Sequence, residues 1–172
     1  MPDTAEGRAA IRAELARIEE SCMYSSQGQF EASKTWRGWN RWLGSAAAVL
    51  AAVAGSTALA SDSLRLVVGG LALTGAFVGA IVTTVNPSQR EIECTDVARA
   101  YQGVQAAARQ AREIDLPRTS YEEARTTLSF LTDRWQTVNQ TAPPISGSAR
   151  KRAKTNIEGG GQSYAVDEGS AT

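Results

Sequence analysis

Between Leu43 and Gln89 the sequence carries only two charged residues, Asp62 and Arg65, and both flanks of this block are densely charged. A globular domain spreads charge over its whole surface. A long uncharged block bounded by charged segments instead fits a chain that puts its middle into a bilayer. The block divides at Asp62-Ser63-Leu64-Arg65 into two stretches, Leu43 to about Ser61 and Leu66 to about Val85. Each is close to the ~20 residues needed to cross ~30 Å of hydrocarbon as a helix. So short a connection makes the two spans antiparallel neighbours. The first is alanine-rich, and its few strongly apolar residues contribute only about −2 to −3 kcal/mol of insertion free energy. The second contains Leu66, Val67, Val68, Leu71, Leu73, Phe77, Val78, Ile81, Val82 and Val85, for about −3 to −6 kcal/mol. The weak span is therefore expected to insert together with the strong one.

The charge bordering the block sets an expected orientation. Lys34, Arg37 and Arg41 precede it, Arg90 follows it, and only Arg65 lies between the spans. The positive-inside rule puts both termini in the cytoplasm and the connection outside. Lys34, Trp36, Arg37, Trp39, Arg41 and Trp42 alternate indoles with cations. Indoles favour the headgroup layer and long cations reach phosphates from it, so this segment reads as the membrane interface. The first apolar block begins after some forty polar and charged residues, which is not the pattern of a cleavable leader.

The flanks read as amphipathic helices. Ile11, Leu15, Ile18 and Cys22 recur at spacings of 4, 3 and 4 within a helix expected over Thr4 to Phe30. Asp3 with Glu6 resembles a capping box at its start, and Gly28 is a plausible place for a kink. Asn86-Pro87 marks the exit from the second span, with Asn86 as cap, Pro87 in the first turn and Gln89 at the box position. Cys94, Val97, Tyr101, Val104, Ala108 and Ala111 then form a seam at 3, 4, 3, 4 and 3, and Leu116-Pro117 ends that helix. Ser120 with Glu123 opens another, whose seam is Tyr121, Ala124, Leu128, Leu131, Trp135 and Val138, before Pro143-Pro144 stops it. The simplest burial of these stripes is a bundle of the N-terminal helix with the two C-terminal ones. The expected fold is thus an all-α membrane protein: a two-helix transmembrane hairpin with cytosolic amphipathic helices packed as a bundle. Its segments are 1–33 (N-terminal helix), 34–86 (membrane entry and hairpin), 87–142 (two cytosolic helices) and 143–172. The last is a basic and glycine-rich tail whose composition suits a solvated, disordered segment. Its cluster Arg150, Lys151, Arg152 and Lys154 alternatively offers a contact for a lipid headgroup or an anionic signal.

Small residues are the main feature of the spans. Gly75 and Gly79 form a GxxxG in the second, and Gly44, Ala48 and Ala52 a comparable row in the first. Such rows let helices approach closely in lipid, either within one hairpin or between subunits. Ser45, Ser56, Thr57, Thr74, Thr83 and Thr84 can bond to helix carbonyls or line a wet path. No acidic or basic residue lies deep within a span, which disfavours a proton relay or coupled transport. Two helices cannot enclose a path, so a pore would require several copies.

Other chemistries find little support. Histidine is absent, and the two cysteines, Cys22 and Cys94, lie far apart with no CxxC pair. No cofactor or metal site is expected. There is no Walker A loop, GxGxxG or GxSxG, and the Gly159–Gly161 run lacks the strand and helix of a phosphate loop. No catalytic residues are assigned, and an enzyme is not expected.

The order of parts resembles a known family. An N-terminal helix runs into Phe30-x-x-Ser33-x-x-Trp36, then come an aromatic entry, a tight hairpin and Asn86-Pro87 with a long helix. Ser120-Tyr121-Glu122 and a further helix follow, and then Ala153-Lys154-x-x-Ile157-Glu158-Gly159. This arrangement is similar to the SLATT family of bacterial conflict-system effectors. The resemblance implies an inner-membrane effector that oligomerises into a pore when a partner signals infection. Family members are associated with nucleotide-second-messenger synthases, nucleotide-sensing domains or reverse transcriptases. None of these is present in the chain, so the implied sensor is a separate protein or ligand, and no direct nucleic-acid binding is expected. A membrane adaptor and a phage-type holin are the alternatives. The first needs the hairpin only as an anchor, and the second needs no trigger.

Overall fold

The computed structural model describes residues 5–58 and 65–163. They are mostly helical, with no strand among the described residues: α1 (Ala5–Ala58), α2 (Arg65–Val85), α3 (Pro87–Gln110), a π-helical turn (Ala111–Asp115), α4 (Tyr121–Thr141) and α5 (Gly147–Glu158). The Asp3 cap and the Asp62-Ser63-Leu64 connection fall outside the described residues. The chain divides into two compact units, Met1–Ala32 with Glu93–Thr172, and Ser33–Ile92.

The first unit is a helical bundle whose core is the set of stripes legible in the sequence. Ile11, Leu15, Ile18 and Cys22 of α1 meet Tyr101, Val104 and Ala108 of α3, and Ala124, Leu131 and Val138 of α4. Val97, Tyr121, Leu128 and Trp135 pack around this centre. Alanines on α3, notably Ala98 and Ala108, are completely buried, and such small side chains let helix axes come close. The Tyr101 hydroxyl donates to Asn139 Oδ1 at 2.6 Å, linking α3 to α4.

The end of α3 departs from a regular heptad. The Leu116 N–H bonds to Ala111 O, five residues back, at 2.9 Å. This wider turn holds an extra residue. It brings both Ala111 and Leu116 onto the buried face, each at 3% exposure, and leaves Ile114 half exposed. The carbonyls released at this helix end have a partner from α1: Arg8 donates through Nη1 to Leu116 O at 2.7 Å and through Nη2 to Thr119 O at 2.8 Å. A planar guanidinium suits this two-carbonyl arrangement. Arg8, three residues before Ile11, extends the inward face of α1 with a polar side chain.

Two junctions follow their local codes. Ser120 caps α4 through the Glu123 N–H, and the Glu123 carboxylate accepts from the Ser120 N–H at 2.9 Å, a complete capping box. Those bonds, the backbone one foremost, hold the Glu123 carboxyl below its usual range. Asn86 sits between α2 and α3 with φ +43°, a conformation that asparagine tolerates better than most residues. Its Oδ1 accepts from the Gln89 N–H at 3.2 Å.

Two expectations are corrected. The helix does not break near Gly28: α1 continues through it. The missing side chain instead makes room for Ile145, since a Cβ on Gly28 would lie 2.6 Å from Ile145 Cδ1. The segment after Pro143-Pro144 is not a disordered tail over its first half. Residues Gly147–Glu158 are helical, capped by Ser146 through the Ala149 N–H. The glycine run stops this helix. Gly160 has φ +84°, and the N–H groups of Gly160 and Gly161 bond to Ile157 O and Asn156 O. That is the paired closure of a Schellman end, in which a left-handed glycine satisfies the last carbonyls. Asp167 and Glu168 lie outside the described residues.

Candidate membrane segment and the docking face of the last helix

Within Ser33–Ile92, α2 has 21 residues and a length of about 32 Å at ~1.5 Å per residue. Among the described residues, one helix is long and apolar enough to cross a membrane, and none of its apolar window is buried in the protein. Leu73 and Phe77 are 75% and 68% exposed. In water that surface would be a large uncovered apolar patch. The hydroxyls on α2 are satisfied within the helix: Thr74, Thr83 and Thr84 donate to Gly70, Gly79 and Ala80 carbonyls at 2.8–2.9 Å. Backbone and side-chain polar groups so paired are compatible with hydrocarbon.

The small-residue rows are divided in their surroundings. Gly75 faces α1, where a Cβ would approach Leu50 Cβ to 3.9 Å. Leu71, Val78 and Val82 share its half-buried side. Gly79 and Gly44 have no neighbour within 4 Å of such a Cβ, and Ala48 is exposed. Ser56 and Thr57 have no described side chains.

The aromatic entry segment lies on the same helix, α1. Trp39 and Trp42 are 55% and 71% exposed, and Leu43 is buried. Lys34, Thr35, Gly38, Trp39 and Trp42 line one concave surface of about 490 Å³. They share it because spacings of four and three bring their side chains to one face of a helix. Arg37 has turned to another partner, donating from Nε to Glu91 Oε1 at 2.7 Å. Trp36 is half-buried, and Arg41 is exposed.

The basic cluster at the other end of the chain is a structured surface. Arg150, Lys151 and Lys154 are on the outside of α5, with Lys154 3.6 Å from Glu158. Arg152 alone turns toward α1, its Nε donating to Glu31 Oε2 at 3.0 Å and its Nη2 to Glu31 O at 3.3 Å. The Glu31 side chain is only 9% exposed. Alongside, Gln27 Nε2 donates to Asn156 Oδ1 at 2.7 Å and Gln29 Nε2 to Pro143 O at 2.8 Å. Among the described residues, the buried polar side chains Ser26, Gln29, Glu31 and Ser33 lie within one stretch of α1. No periodicity argument marks this patch, because its residues are polar. The only hint in the sequence is that the apolar α1 stripe stops at Cys22 while the helix continues.

A concavity of the bundle unit, about 950 Å³, is lined by residues including Glu19, Gln105, Arg109 and Arg112. The Arg112 guanidinium is already engaged there, by Glu19 at 2.9 Å and Glu113 at 2.7 Å. Cys22 is fully buried, and that burial pushes its thiol up to about 12. Such a thiol carries almost no thiolate at neutral pH and is a poor nucleophile or ligand. Among the described residues no group of three histidine, cysteine or acidic side chains is arranged to hold a metal. In comparisons with known proteins, no family model, curated protein or solved structure matches the chain.

Proposed function

We propose that this protein is a pore-forming membrane effector rather than an enzyme, acting as an oligomer in the inner membrane of a bacterium under the control of a separate sensor or nucleotide signal. In this reading residues 43–61 and 66–85 are both transmembrane, the two termini are cytoplasmic, and the cytosolic helices hold the assembly closed. The observation that carries it is the uncovered apolar surface of α2, on which Leu73 and Phe77 are among the most exposed large hydrophobics. One hairpin cannot surround a water path, so a pore needs neighbouring copies. Gly79 and Gly44 offer open, small surfaces for that contact. The resemblance to the SLATT family supplies the biological setting: a conflict system that disrupts the membrane on infection. Trigger-dependent opening requires a ligand or partner with different affinity for the closed and open assemblies.

Expression with its cognate trigger is expected to depolarise cells, as read by a potential-sensitive dye, and Gly79→Leu is expected to abolish the effect while leaving the protein in the membrane. An intact potential under every triggering condition would sink the reading. The second reading, a membrane-anchored adaptor, draws support from the self-contained core of the bundle unit. It requires that an unrelated two-span anchor replace residues 43–85 without loss of function, whereas a pore former loses function on that exchange.

A further inference from the structure

We infer that α5 is a releasable clasp, held on α1 by a polar face and drawn off it by an anionic lipid surface that binds its basic outer side. This deepens the membrane-effector reading and rests on the chain being held at a bilayer. The inner face of α5 is poor in apolar contact: Ala149 and Ala153 are its buried side chains. Apart from Ile145 of the preceding linker seated beside Gly28, what holds it is hydrogen bonding, through Arg152 to Glu31 and Asn156 to Gln27, together with Pro143 to Gln29 in that linker. Water can replace each such bond when the faces part, so the net cost of separation is small compared with that of an apolar seam. The fit is also incomplete, because Gln29 Oε1 is buried with no hydrogen-bond partner. The core helices α1, α3 and α4 bury leucine, isoleucine, valine and tyrosine against one another. α5 can therefore separate without unfolding them.

The outer side of α5 states what competes for it. Arg150, Lys151 and Lys154 are exposed within five residues, and Arg152 adds a fourth cation once it leaves Glu31. Four cations on one short helix form a cluster large enough to be attracted to an anionic leaflet. A zwitterionic surface offers no comparable attraction. Covalent attachment to a membrane helix keeps the effective concentration of lipid near α5 high, which makes the competition intramolecular in character. Release exposes Glu31, Gln29 and Gln27 together on α1, a polar strip that α5 otherwise covers.

Disulfide trapping of the full-length chain tests this. Gln27→Cys with Asn156→Cys replaces a side-chain hydrogen bond between α1 and α5, and the parent chain with its buried Cys22 and Cys94 serves as control. In phosphatidylcholine vesicles the pair is expected to oxidise readily. With about 30% phosphatidylglycerol the rate is expected to fall about fivefold or more. Adding Arg150→Gln, Lys151→Gln and Lys154→Gln is expected to restore the phosphatidylcholine rate on anionic vesicles. Equal rates in the two lipids, or slowing that persists in the neutralised variant, would overturn the lipid assignment. Absence of trapping in both lipids would overturn the clasp. Cell depolarisation under triggering conditions reports pore formation separately: lipid-dependent trapping with an intact potential under every such condition leaves the clasp standing and removes the pore.

Discussion

At the residue scale, the informative positions are those whose side chains cross between helices. Arg152 compensates the nearly buried Glu31 carboxylate, and burying a carboxylate without a partner is costly. Its own side chain is 47% exposed, so water weakens the pair and the interaction is worth about 1–2 kcal/mol. Arg152→Ala is therefore expected to speed amide hydrogen exchange across Gly147–Glu158 by roughly 5- to 30-fold while leaving α3 amides unchanged. Protection spread evenly over both helices in the variant would contradict that. Cys22 offers a titration. Its folded thiol is raised from 9.0 to about 12 by burial, so above pH 9 the unfolded chain loses a proton that the folded chain keeps. Stability is then unaffected by this group below pH 9 and declines as pH rises from there toward 12. Tyr101, raised by burial and by the neighbouring Cys22, acts in the same direction. Cys22→Ala is expected to flatten part of that alkaline decline in urea-unfolding midpoints measured from pH 8 to 11.

At the scale of elements, packing and helix ends do different work. The α1 stripe is the central ridge of the bundle, and Leu15 is among its largest fully buried side chains. Leu15→Ala is expected to cost about 3 kcal/mol through lost burial and the cavity left behind, measured by denaturant titration of the detergent-solubilised protein. A loss below about 1 kcal/mol would mean that the α1–α3–α4 seam is not the core. The π turn shows how an element end adapts: a regular helix would rotate Leu116 off the seam set by Val104, Ala108 and Ala111, and the extra residue brings it back. Arg8 then ties α1 to the carbonyls this end leaves over. The Glu123 box makes the start of α4 sensitive to acid. Its lowered carboxyl favours the folded state above its ordinary titration range, and that contribution disappears as pH falls through the folded value.

At the scale of the whole molecule, two solvents are implied by two surfaces. The bundle unit buries its apolar stripes within itself, whereas α2 displays Leu73 and Phe77 outward. Leu73→Asp with Phe77→Asp changes the insertion free energy of α2 by about 6–8 kcal/mol, more than the ~3–6 kcal/mol the whole span supplies. The double variant is expected to leave the membrane fraction on carbonate extraction while the bundle stays folded, its α1, α3 and α4 amides retaining protection. Retention in the membrane at parental levels would show that α2 is not what holds the chain there.

The stripes and caps were legible residue by residue, because helical spacing and capping chemistry are local. Ile11 to Cys22, the α3 and α4 seams, Ser120 with Glu123, and Asn86 with Gln89 each depend on neighbours a few positions away. The uncharged block likewise follows from composition alone. What the tertiary structure decided is everything that depends on partners distant in sequence. Arg37 reads as a headgroup cation until Glu91 is brought to it, and nothing near Arg8 in the sequence announces the Leu116 and Thr119 carbonyls as its partners. Gly28 reads as a kink until Ile145 occupies the space beside it. The basic cluster reads as a solvated tail until Arg152 finds Glu31, 121 positions earlier. A polar helix face carries no apolar period to announce what will cover it, so the docking of α5 is written in the folded molecule alone.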